Sequence, residues 1–204
     1  MSPTQPSPAL SPHEAQGRLR SALHGNALVV DLETTGLDPL RDRIIEIAAV
    51  RLRNGHLAEH WSTLVNPGRA IPREVSALTG FTDSTVAGAP AFGEVLGGLS
   101  EIISSAAVLI GHNVEFDATF LSAETARLAQ RDPHLPLLEA PRLCTAAAAR
   151  ALVPRESVGR YTLSNLAAHF AIPYDNPHRA SSDALATARL LRALSACSPP
   201  TPRR

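Results

Sequence analysis

Long apolar runs, paired cysteines, aromatic rings and net charge are all scarce or missing in these 204 residues. No apolar stretch approaches the ~20 residues that span a bilayer. Met1-Ser2-Pro3-Thr4-Gln5-Pro6 has neither the basic nor the apolar region of a signal peptide. Cys144 and Cys197 stand alone and far apart, which excludes a disulfide framework or a cysteine zinc site and fits a reducing compartment. The expectation is a soluble, cytoplasmic protein with no membrane partner. Lys+Arg and Asp+Glu balance at 19 each, so the chain carries no broad positive field for clamping duplex nucleic acid. Any grip on nucleic acid must be short, with metal ions supplying part of the positive charge. With aromatics at 4% and hydrophobic residues at 44%, the core must be built mainly from Leu, Ile, Val and Ala.

What is present reads as one domain over residues 11–197, with Pro- and Ser-rich tails at 1–10 and 198–204 that have no apolar period and are expected to be disordered. Ser11-Pro12-His13-Glu14 is a helix start and Gly25 its stop. Ala27-Leu28-Val29-Val30-Asp31-Leu32-Glu33 is an apolar strand ending in acids. Residues 43–53 and 56–65 are two more strands around Asn54-Gly55, a strong hairpin signal. Residues 73–104 read as short helices broken by Gly and Pro. A strand at 107–110, a helix at 115–130, a short strand around Leu143 and helices near 145–152, 162–170 and 179–196 complete the chain. The expected fold class is α/β: a mixed sheet with an antiparallel three-strand meander and helices on both faces.

Asp31 and Glu33, two apart on a strand, point to the same face and repel each other. A divalent cation relieves that repulsion, and hard oxygen donors suit Mg²⁺ or Mn²⁺ over Zn²⁺. Alternatively, both acids are solvated or pair with Arg41 or Arg43. Thr34-Thr35-Gly36 follows as a turn of amides and hydroxyls that could seat a terminal nucleotide, or as a plain loop with Gly36 at positive φ. Gly111-His112-Asn113-Val114-Glu115-Phe116-Asp117 opens a helix. It offers a third acid and a ring for a base, or simply a carboxylate favouring the helix N-terminus and a core Phe. His178 precedes Asp183 at the head of the last helix, where Ala180, Ala184, Ala188 and Leu191 keep helical spacing. Its distance from Asp183 places His178 on a loop or first turn, as a base near neutrality or as an ordinary surface His.

Taken together, Asp31-Leu32-Glu33-Thr34-Thr35-Gly36, His112-Asn113-Val114-Glu115-Phe116-Asp117 and His178 with Asp183 resemble the three exonuclease motifs of the DnaQ-like (DEDDh) family. Its type member is the proofreading subunit of the bacterial replicative polymerase. Ile71-Pro72-Arg73-Glu74 and Leu78-Thr79-Gly80-Phe81-Thr82 resemble its linking segment, so the similarity covers about residues 26–196. The resemblance implies an RNase H-like fold and 3′→5′ exonuclease activity on DNA. By it, Asp31, Glu33 and Asp183 hold two divalent cations, Mg²⁺ or Mn²⁺, Asp117 completes the shell, and His178 is the general base. The substrate contacts it implies are Leu32, Thr34, Thr35, Gly36, Glu74, Thr79, His112, Asn113 and Phe116. Thr79 stands where proofreading subunits often carry His, so contacts to the terminal sugar differ. The implied partners are the 3′ end of single-stranded DNA or RNA and a DNA polymerase. An RNA-trimming enzyme, a non-catalytic docking module and a nucleotide sensor are the alternatives. No polymerase-docking extension follows the last helix, which favours a stand-alone enzyme.

Overall fold

In the computed structural model, which describes residues 10–130 and 140–198, the opening helix starts where Ser11 dictates. The Ser11 hydroxyl accepts the Glu14 N–H, and the Glu14 carboxylate accepts the Ser11 N–H at 2.9 Å, closing a capping box on α1 (Pro12–His24). Leu10, at the edge of the expected tail, packs against the core beside it. The remaining tail residues, 1–9 and 199–204, lie outside the described residues.

Asn54 and Gly55 both take positive φ (49° and 76°), as a two-residue turn requires between β2 (Ile44–Arg53) and β3 (His56–Leu64). β1 (Asn26–Thr34) pairs antiparallel with β2, with Val29 opposite Val50 and Glu33 opposite Glu46. β4 (Val108–Gly111) lies parallel to β1, and β5 (Arg142–Cys144) parallel to β4. The sheet order is β3-β2-β1-β4-β5, the expected mixed sheet with its meander on one side.

Alternation along β1 sorts the core into two layers. Ala27 and Val29 pack with Leu19 of α1, Ala148 of α6 (Thr145–Leu152), Leu166 of α8 (Leu163–His169) and Leu190 of α9 (Ala180–Ala196). Leu28, Val30 and Leu32 pack on the other face with Leu96 and Leu99 of α4 (Phe92–Ser104) and Phe120 and Leu121 of α5 (Val114–Ala129). A smaller cluster of Ile45, Ile71, Phe81 and Val86 seats α2 (Arg73–Thr79) and α3 (Asp83–Val86) near the end of the sheet where β1 finishes.

Residues 73–104 form three helices, broken at Gly80 and again between Val86 and Phe92, as expected. α4 runs unbroken through Gly93, Gly97 and Gly98. Each glycine costs a helix about 1 kcal/mol, but Phe92, Leu96, Leu99 and Ile103 are all buried on one stripe, and each such side chain contributes ~1.5–3 kcal/mol. Burial wins. A short α7 (Arg155–Val158), set between α6 and α8, was not anticipated. Among the described residues, no helix is long and apolar enough to cross a membrane. Cys144 and Cys197 are both free.

Candidate active site

Three elements converge on the carboxyl end of β1. Asp31 and Glu33 share a face of that strand, and α9 crosses β1 and β2 with Asp183 in its first turn. α5 arrives from the other side with Asp117, which is 4% exposed and accepts the backbone N–H groups of Leu32 and of its own residue. Such strand ends are where α/β sheets build sites. Gly111 makes room for this approach, since a Cβ there would sit 3.1 Å from Asp117 Oδ2. His178 lies on the loop before α9, as expected, exposed and with φ of 63°. Ligand atoms of Glu33, His178 and Asp183 all fall within 4.8 Å of one another.

The charges in this cleft oppose one another. Burial pushes the Asp31 carboxyl well above its usual range, and the Asp117, Asp183 and Glu33 carboxylates push it further. Glu33 is raised to about 8, by burial and then by Asp183. Burial also raises Asp117 strongly, against its two backbone hydrogen bonds. Asp183 is raised by burial, with the Tyr174 hydroxyl, which donates to its Oδ1 at 2.9 Å, pulling the other way. The arginines named as alternative partners are engaged elsewhere: Arg41 sits 3.6 Å from Asp38, and Arg43 2.7 Å from Glu124. Among the described residues, none of the four acids has an arginine ion pair.

Several residues expected to face substrate have other work in the fold. Thr34 Oγ1 donates to the Gly36 carbonyl at 2.6 Å, and Thr35, 1% exposed, bonds Asp42 and accepts the Arg43 N–H. Their hydroxyls stabilise the turn. Gly36 is not at positive φ; a Cβ there would collide with the Asp42 carboxylate. Both ring nitrogens of His112 are occupied, by Thr145 Oγ1 at 3.0 Å and the Tyr161 carbonyl at 2.9 Å, and burial lowers its pKa. His112 is therefore a clamp between β4 and the α6–α8 layer. The Thr79 hydroxyl closes the end of α2 by donating to Val75 O and accepting the Phe81 N–H. Leu32 is core. Phe116 is half-buried against Phe120, ring centroids 4.8 Å apart. Glu74 and Asn113 remain exposed, the latter at φ of 81° as the cap of α5.

The chain matches the family described as Exonuclease over residues 28–191. It belongs to the exonuclease family. The enzyme is thus a nuclease, a hydrolase of nucleic acid, on the RNase H-like fold. It is 35% identical to the DNA polymerase III subunit epsilon of Aquifex aeolicus (strain VF5) over 168 residues, 82% of this chain and 79% of that subunit. It is 39% identical to the same subunit of Treponema pallidum (strain Nichols) over 154 residues, 76% of this chain and 69% of that one. Exonuclease X, solved in complex with 5′ overhanging duplex DNA, superposes with a TM-score of 0.65 at 26% identity, covering 82% of this chain and 90% of that one.

The donor set of the exonuclease fits divalent cations. Four carboxylates crowd the cleft, none of them in an arginine ion pair among the described residues, and their shared repulsion is what a bound cation would remove. Three residues of the site escaped the sequence reading. Glu46, 3% exposed and opposite Glu33, was detectable as the one acid within the apolar run Ile44–Val50. Tyr174 and Arg179 lie in or beside a loop without any period, and no spacing pointed to them.

Proposed function

We propose that the chain is a single 3′→5′ exonuclease domain over residues 11–197, removing nucleotides from single-stranded or frayed DNA ends and releasing nucleoside 5′-monophosphates. The observation that carries this reading is the cluster of Asp31, Glu33, Asp117 and Asp183 without arginine partners, with His178 beside it on a loop. Asp31, Glu33 and Asp183 would hold two cations, Mg²⁺ or Mn²⁺, with Asp117 completing the set. When bound, such a pair lowers the pKa of the attacking water and neutralises charge at the scissile phosphate and leaving oxygen.

The chain's own groups do the remaining work. His178 takes the proton from the attacking water on an imidazole nitrogen, and its exposed loop lets it deliver that proton to solvent. The Tyr174 hydroxyl keeps its proton, because burial and the nearby Asp183 charge raise its pKa, and so holds Asp183 in one orientation. The Thr34–Gly36 turn, Glu74, Asn113 and Phe116 would grip the strand end. Relatives named as DNA polymerase III epsilon subunits support DNA as substrate and a DNA polymerase as partner.

The test is a time course on 5′-labelled single-stranded DNA, mismatched duplex and RNA, with Mg²⁺, with Mn²⁺ and with EDTA. The expected result is a one-nucleotide ladder shortening from the 3′ end of DNA, lost in EDTA. Internal cuts, faster loss of RNA, or cleavage that survives EDTA would each overturn part of the proposal. His178→Ala should abolish the ladder at an unchanged melting temperature.

A further inference from the structure

Glu46 is a fifth carboxylate beside four that already repel one another, and electrostatics alone would remove it. Its Oε2 accepts the N–H of Ala180, the first residue of α9, at 2.8 Å, and lies 3.5 Å from Arg179 Nε. Arg179 caps α9 directly after His178, and its guanidinium carbon stands 4.5 Å from the centroid of the Phe81 ring. Phe81, 5% exposed, belongs to the small cluster that seats α2 and α3, and its N–H bonds Thr79 Oγ1. One side chain thus touches β2 opposite Glu33, the segment that carries His178 and Asp183, and the segment that carries Glu74 and Thr79.

We propose that Arg179 is a positioning residue that locks the His178–Asp183 segment and the Glu74–Phe81 segment in register through Glu46 and the Phe81 ring. This rests on the reading of those segments as catalytic and strand-gripping. Its form requires arginine, because a flat guanidinium can lie over an aromatic face and bond a carboxylate edge-on, and an ammonium cannot do both. Misplacing reacting groups by about 1 Å costs up to ~100-fold in rate, so a loosened bridge should be visible in turnover before it is visible in folding.

The experiment compares Arg179→Met, Arg179→Lys, Phe81→Leu and the Met/Leu double variant on 5′-labelled single-stranded DNA, below each melting temperature. Amide hydrogen exchange is followed over 72–86 and 176–184. For Arg179→Met we expect kcat down about tenfold and KM up about threefold, with faster exchange in both segments. The double variant should be no worse than Arg179→Met alone, since contacts in one network are not additive. Arg179→Lys should fail to restore kcat. Multiplying effects in the double variant, full rescue by Lys, or exchange that changes only in 176–184 would each overturn the bridge. Absence of a ladder from the unaltered protein would instead sink the nuclease reading, and the exchange pattern would still decide the bridge.

Discussion

Two groups of buried acid in this molecule are treated in opposite ways. Glu124, with its side chain 2% exposed, takes two hydrogen bonds from Arg43 at 2.7 and 3.0 Å. It also lies 3.4 Å from Arg127 and accepts the Ile44 N–H. That knot ties α5 to the loop after β1, and every charge in it has an internal partner. A few residues away, Asp117 on the same helix and Asp31 and Glu33 on β1 have no arginine ion pair among the described residues, and Asp183 takes the Tyr174 hydroxyl instead. The chain has arginines to spare, 19 cationic residues in all. Leaving these four acids without an arginine ion pair is a property of the site, and it suits a cation from solution.

Neutralising one acid of each group should separate them most sharply. Asp31→Asn should cut turnover about 1,000-fold, while raising the melting temperature of the metal-free protein by roughly 2–6 °C, as the cost of burying and protonating that carboxyl is removed. Calorimetry beside a nuclease assay checks both, and a lower melting temperature would break the contrast. Glu124→Ala should do the reverse. Stranding two arginines costs about 3 kcal/mol, a fall of roughly 6–12 °C. Turnover of the folded fraction should drop far less than in Asp31→Asn.

The smallest effect is one of pH. The Glu33 carboxyl is raised to about 8, so between about 4.5 and 8 the folded state holds a proton that the unfolded chain has released. Its contribution to stability is complete below that window and lost as pH rises through it. The metal-free melting temperature should therefore fall by a few degrees from about pH 5 to about pH 8. Mn²⁺ should remove the slope and release protons on binding at pH 7. A flat metal-free profile would show that the cluster is already neutralised from within.

Periodic features of the chain were readable in advance. Ser11 with Glu14, Asn54-Gly55 and the alternation along β1 act through neighbours within a few residues, so sequence alone carries them. The acids and His178 came from their motifs, and the structure brings them together. What escaped depends on distant partners. The glycines of α4 are outvoted by burial against the sheet, and α7 has no period of its own. Thr34, Thr35 and His112 have side chains that could serve a substrate, and their bonds to Gly36, Asp42 and Tyr161 were not readable from spacing. Glu46 gains its meaning from Ala180, 134 residues away.

The strand carrying Asp31 and Glu33 sits third of five, paired with β2 along its whole length and with β4 over Ala27 to Val29. Fraying of a sheet starts at its margins, here β3 and β5, so the amides of β1 should be among the last to exchange with deuterium. The strand beneath the acids is thus held by the sheet itself.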